Sequence, residues 1–311
     1  MSVAVTAWAV HLPGGGHLGG APDSCAGPAV PPERAHELLG RRGLLYKEPA
    51  TRLALCAVHR ALGLPPAAPR PDSPPDPGTA VVASSNLGNV ATVRRVAETV
   101  RRGTVRDVSP LDAPNASSNV IASTVAIWFR LGGPNLTVCS GATSGLDAVA
   151  LGSLLIRAGR AGRVVVVGAE PDDEVAVALH GRRAAACGGA LRAGAAAIVL
   201  EAAAPAGAPR LGQVGSAPGR DSVGGRAGAS VVVGPAELGR GAGRVIDLVR
   251  EVGDPYGALG VLQVAVAAAL VAGAGAAGPR KVAVICGDDV DGWRTTALLA
   301  DPPPGRASCE R

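Results

Sequence analysis

Residues 133–148 read as a short strand, Asn135-Leu136-Thr137-Val138, that turns through Cys139-Ser140-Gly141 into a helix carrying Leu146 and Ala148. An apolar strand that bends straight into a helix commits the chain to a sheet covered by helices, because both elements must bury a face against each other. The first turn of such a helix carries the positive end of the helix dipole, which lowers the pKa of a thiol placed there. Acyl-transfer enzymes use this bend to present a nucleophile. Here the bend position is Ala142, whose methyl group can attack nothing.

The flanking sequence extends the same pattern. Residues 3–10 predict a strand and 11–32 a Gly/Pro loop. Residues 49–62 predict a helix, with Pro49 in the first turn and Leu53, Ala54, Ala57 and Ala61 on one face. A proline-rich connection at 65–77 precedes a strand at 79–85 and helices at 90–101 and 117–129. The helix after the bend runs over 146–158, and strands follow at 163–168 and 195–201. Strands alternating with helices imply a mainly parallel sheet with helices on both faces. An Ala/Pro/Gly connector at 202–207 opens a shorter second set: strands at 211–217 and 230–233, helices around 245–252 and 257–272, strands at 282–285 and 295–299, and a frayed tail from 302 to 311. The chain divides into 1–203 and 204–311.

Composition excludes several functions. With 47% hydrophobic residues in 311 the chain can bury a substantial core, but 2% aromatic content leaves no material for base-stacking platforms. The net charge of +5 is spread over pairs such as Arg41-Arg42, Arg94-Arg95, Arg101-Arg102 and Arg182-Arg183. These read as solvated helix faces rather than a nucleic-acid surface, and the same charge suits docking of an acidic carrier protein. The six cysteines (Cys25, Cys56, Cys139, Cys187, Cys286, Cys309) lack metal-ligand or disulfide spacing, so no metal site and no cofactor are expected. Gly14-Gly15-Gly16 and Gly224-Gly225-Arg226 lack the strand and helix of a phosphate loop. Residues 258–277 carry no charge but are Ala/Gly-rich and interrupted by Gln263, which predicts a buried core helix rather than a membrane span. With no export signal at the start, a cytoplasmic location is expected.

The run Gly133-Pro134-Asn135-Leu136-Thr137-Val138, with Ala142 nine positions after its Gly and then Thr143-Ser144-Gly145-Leu146, resembles the active-site segment of β-ketoacyl synthases. Val164-Val165-Val166-Val167-Gly168-Ala169-Glu170 is similar to the family's strand ending in Gly-Ala-Glu. Asn115-Ala116-Ser117 resembles its dimer-side segment, and Arg192-Ala193-Gly194-Ala195-Ala196 resembles its Gly-Glu-Gly-Ala-Ala turn with Ala193 replacing Glu. The resemblance covers residues 1–201 well and the remainder weakly. It implies an α/β thiolase-like fold of two related βαβαβ halves, with the C-terminal half shortened.

The departures from that family bear on function. Its condensation needs a cysteine and two histidines that stabilise the developing enolate oxygen. The cysteine position is Ala142, the first histidine segment has no counterpart, and the second aligns with Gly253-Asp254-Pro255-Tyr256-Gly257, placing Asp254 there. An ionised aspartate would repel an oxyanion. The resemblance therefore implies a cysteine-less subunit close to the chain-length factors of type II polyketide synthases, a non-catalytic partner that forms a heterodimer with an active ketosynthase and works with an acyl carrier protein. A homodimer is also open. The alternative is an acyltransferase that uses Cys139 or a nearby hydroxyl, Ser140 or Thr143. Against it, Cys139 reads as a buried strand residue, the hydroxyls read as helix caps, and His180 reads as a surface or hydrogen-bonded histidine. Asp172-Asp173-Glu174 read as loop carboxylates facing water, and Asp288-Asp289 with Asp291 lack the later residues of a calcium loop.

Overall fold

The computed structural model describes residues 2–18, 29–183, 189–223, 228–239, 241–273 and 278–300. Cys25, Cys187, Cys309, the Gly224-Gly225-Arg226 turn and the tail lie outside the described residues. In chain order the elements are β1 Val3–His11, α1 His36–Leu39, α2 Pro49–Ala61, β2 Thr79–Ser84, α3 Val90–Arg102, α4 Val120–Phe129, β3 Asn135–Val138, α5 Ser144–Arg157, β4 Arg163–Glu170, α6 Glu174–Arg183 and β5 Gly194–Glu201. The second half supplies β6 Arg210–Leu211, β7 Gly215–Ala217, β8 Val231–Val233, β9 Arg244–Ile246, α7 Leu248–Val252, α8 Leu259–Gly273, β10 Lys281–Asp288 and β11 Gly292–Leu299.

Among the described residues the eleven strands join one mixed sheet in the order β3-β2-β4-β5-β1-β6-β11-β10-β8-β9, with β7 paired to β11. Each half has a parallel core, β3-β2-β4 in the first and β10-β8-β9 in the second, and antiparallel strands β5, β1, β6 and β11 connect them. The valine run of β4 shows why this sequence makes a central strand. Val164 and Val166 face the core shared with α5 and α8, whereas Val165 and Val167 face the core shared with α2 and α4. A strand buried on both faces needs a continuous apolar run, and period-2 alternation divides it between the two layers.

Helices α5 and α8 cross in the middle of the molecule. Neither Gly145 nor Gly260 has a side chain there: a Cβ added to Gly145 would sit 2.6 Å from the Gly260 Cα. The stretch Tyr256–Gly273 has the length and hydropathy of a membrane span, and 89% of it is buried inside the fold. It is the central core helix.

Four local expectations are corrected. Residues 211–217 form two strands, because the chain pairs with β1 and β11 at Arg210 and Leu211, leaves the sheet, and returns to Trp293, Arg294 and Thr295 of β11. Residues 245–252 are not wholly helical. Val245 and Ile246 pair with β8, and the Asp247 carboxylate then accepts from the Arg250 N–H to start α7. The acidic run 172–174 is not a loop facing water but opens a helix: the Asp173 carboxylate accepts from the Val175 and Ala176 amides at 3.0 and 3.1 Å, capping α6. Its core-facing stripe is only Ala176 and His180, too narrow for the hydrophobic period to reveal. Arg183 on the same helix is not a solvated basic residue, since it reaches two carboxylates of the β10–β11 hairpin.

Candidate functional site

After β3 the backbone turns at Gly141, which adopts φ +69°. Left-handed backbone favours glycine, and here a Cβ would also overlap the Asp291 carboxylate. A single 3-10 turn, Gly141–Thr143, leads into α5. Asn86, in the loop after β2, grips the bend from both sides. Its Nδ2 donates to the Gly141 carbonyl at 2.9 Å, and its Oδ1 accepts from the Gly141 amide at 3.1 Å and the Ser144 hydroxyl at 3.0 Å. Glu170 holds that loop in turn, accepting from the Asn86 amide (2.6 Å), the Leu87 amide (3.0 Å) and the Ser85 hydroxyl (3.1 Å). Complete burial pushes the Glu170 carboxyl up to about 7 despite these donors.

Ala142 is buried, and its amide donates to Asp291 Oδ2 at 2.7 Å. The N–H of Ala142 in the turn that leads into α5 is therefore already engaged by a carboxylate from the tip of the β10–β11 hairpin. Arg183 bridges that carboxylate and Asp288, and it also donates to the Tyr256 hydroxyl at 2.9 Å. Burial, only partly offset by Arg183, pushes the Tyr256 phenol up to about 12, so it stays neutral. Beside it, His180 Nε2 meets Asp254 Oδ2 at 3.0 Å with both side chains buried, and Asp254 Oδ1 accepts from the Tyr256 amide at 2.8 Å. Tyr256 carries φ +41°, an uncommon conformation for a bulky residue.

Ala142 and Asp254 line one cavity of about 350 Å³, together with Tyr256, Gln263, Cys286 and Trp293. Cys139 is not among its lining residues. The thiol is also not buried as expected, because β3 is the last strand of the sheet and Cys139 lies just beyond its end, exposed. Although the residue as a whole is exposed, its sulfur is half-buried: Sγ donates to the Ser85 carbonyl at 2.9 Å, and this partial desolvation, with the nearby Glu170 carboxylate, raises its pKa. A thiol held protonated is a poor nucleophile. The hydroxyls fare no better and are not the helix caps expected: Ser140 Oγ and Thr143 Oγ1 each donate to Asp147 Oδ2 at 2.6 Å, and Asp147 pairs with Arg294.

Asp291, Arg183, His180 and Tyr256 had no place in the sequence-derived site. The signal present was a cluster of acids, Asp288 to Asp291, closing an otherwise apolar strand, opposite an arginine on a helix not recognised from its pattern.

A thiol placed at the bend should stay sluggish in this setting. In a Cys139→Ser background, Ala142→Cys is expected to alkylate with iodoacetamide at pH 7 no faster than free cysteine, because the Asp291 carboxylate opposes the thiolate. Adding Asp291→Asn should lower the pKa by about 1 to 2 units and speed alkylation about tenfold. Intact-mass time courses check this, and fast alkylation of the Ala142→Cys protein with Asp291 in place would refute the carboxylate's role.

A sequence model of the β-ketoacyl synthase N-terminal domain matches residues 41–201, more than half of the chain. The chain belongs to the β-ketoacyl synthase family. No curated protein sequence matches it. Among solved structures, the ishigamide ketosynthase/chain length factor superposes with TM-score 0.72 at 23% identity, covering 97% of this chain and 100% of that one. A β-ketoacyl synthase from Burkholderia phymatum gives 0.69 at 16% identity, covering 97% and 100%. A type II polyketide synthase acyl carrier protein in complex with its ketosynthase (AntDE:AntF) gives 0.69 at 12% identity, covering 97% and 99%. At these identities the likeness is one of fold, and the thiolase-like ketosynthase fold is the one this synthase-family chain adopts.

Proposed function

We propose that this chain is a non-catalytic ketosynthase-like subunit, akin to a chain-length factor, that forms a heterodimer with a condensing ketosynthase in type II polyketide or fatty acid biosynthesis and acts with an acyl carrier protein in the cytoplasm. The carrying observation is the nucleophile position: Ala142 offers no attacking group, and its amide, where a thioester oxygen would need a donor, is held by Asp291. Asp254 at the histidine position is spent on His180 and the Tyr256 amide. On this reading residues 1–203 supply the partner-facing half and 204–311 close the pocket. The acyltransferase reading loses support from the raised Cys139 thiol and the Asp147-bound hydroxyls.

The mating surface is the outer edge of β3, unpaired among the described residues, with the segment 115–129 beside it. Ile127 and Leu136 there are 73% and 39% exposed, large apolar side chains that a partner would cover. Co-expression with the ketosynthase of the same gene cluster is expected to yield one species on size-exclusion chromatography, and Ile127→Asp with Leu136→Asp should split it. Separate species from the wild-type pair would sink the proposal.

A further inference from the structure

Donors that could serve a carbonyl oxygen in the cavity of Ala142 and Asp254 are already committed. The Ala142 amide is held by Asp291, and the wall guanidiniums of Arg220 and Arg250 pair with Glu237, Asp247 and Asp289. The group left over is an acceptor. Gln263, on α8 and only 2% exposed, lines the cavity. The Ile285 carbonyl, which can only accept, receives Gln263 Nε2 at 2.9 Å and so fixes which way the side-chain amide faces. Gln263 Oε1 is then buried with no hydrogen-bond partner among the described residues. An unmet buried acceptor destabilises a fold, so one kept on a cavity wall is matched to a donor that arrives with a ligand.

Charge and size narrow the ligand. Glu237, Asp247, Asp254 and Asp288 line the cavity against Arg220 and Arg250, and Arg183, which reaches Asp288 from behind, is shared with Asp291. A wall with an excess of carboxylates favours a cation over an anion. Leu248, Leu259, Ile285 and Trp293 supply its apolar part. The volume lies at the small end of the range usual for small-molecule sites, about 300 to 1,000 Å³. A primary ammonium carries three donors and no acceptor. We infer that this cavity binds a small primary amine, its ammonium donating to Gln263 Oε1 in the field of the wall carboxylates and its hydrocarbon body lying against Leu259 and Ile285. The inference rests on the non-catalytic reading of Ala142 but not on a partner: amine binding is measured on the chain alone, whereas the pairing is decided by chromatography with the ketosynthase.

Calorimetric titration of the full chain compares phenethylamine with phenethyl alcohol, hydrocinnamate and the hexanoyl thioester of N-acetylcysteamine. The amine is expected to bind about tenfold more tightly than any of the other three. Gln263→Met removes the acceptor at similar bulk and should weaken the amine about tenfold. Glu237→Lys changes the charge of the wall at an exposed position, and should weaken the amine about fivefold while the alcohol stays within about twofold of wild type. Because the second variant leaves the core untouched, a folding defect in Gln263→Met does not decide the outcome. Equal binding of amine and alcohol, tighter binding of hydrocinnamate or the thioester, no amine binding at millimolar concentration, or wild-type amine affinity in Glu237→Lys or in a folded Gln263→Met would each overturn the inference.

Discussion

Gly145→Val is expected to give no folded protein. At that position α5 meets α8 backbone to backbone, and the first carbon of any side chain would lie 2.6 to 2.7 Å from the Cα and N of Gly260 and the N of Val261. Main-chain atoms of a fully buried helix cannot rotate aside as a side-chain tip can. The helices must separate, and the core they share, including Leu146, Val149, Val261 and Val264, opens with them. Ordinary overpacking costs about 1 to 3 kcal/mol, and a clash on two backbones should exceed that, against a total stability of about 5 to 15 kcal/mol. Gly152→Ala on the same helix is the comparator. Its added carbon meets only side-chain methyls of Val166, Leu200 and Val164 at 3.0 to 3.2 Å, so a loss of about 1 kcal/mol is expected. Circular dichroism and thermal melts of both variants check the contrast; a Gly145→Val protein melting like wild type would refute the close crossing.

Arg183→Met should be the most damaging change at the site itself. It keeps the bulk of the side chain but leaves Asp288 and Asp291 facing each other largely buried without their cation, a loss of about 3 kcal/mol. Replacing the acids as well, with Asp288→Asn and Asp291→Asn, should recover most of that loss, because the cost arises from uncompensated charge rather than from missing contacts. Denaturant midpoints of the single, double and triple variants give the coupling. Additive losses would show that the three side chains do not act as a unit.

Much of the architecture was legible from local pattern. The valine run of β4, the glycine-bounded bend and the apolar α8 each carry their cause in neighbouring residues: a strand buried on both faces, a left-handed turn, a helix with no polar side. Of the candidate site, only the bend that carries Ala142 was legible. Ala142 is defined by the bend that precedes it, whereas its carboxylate partner is 149 residues away in sequence. No local period encodes which acid at the tip of a hairpin will meet which arginine on α6. Cys139 misled because strand residues are usually buried. That average fails at the last strand of a sheet, and sheet order is a long-range property that the bend sequence does not contain. The weak helix α6 was missed for a related reason, since its two core-facing residues matter through Asp254 and Tyr256 from the other half.

Among the described residues β3 ends the sheet, and if the chain pairs as proposed above, that border bears on how the cell must handle this protein. An outermost strand displays a row of main-chain donors and acceptors that any extended polypeptide can zip onto, with little regard for its sequence. Copies synthesised in excess of a mate would circulate with that row open, vulnerable to clumping or to clearance by quality-control proteases. Steady-state abundance would then follow the supply of the companion rather than the strength of this gene's own promoter.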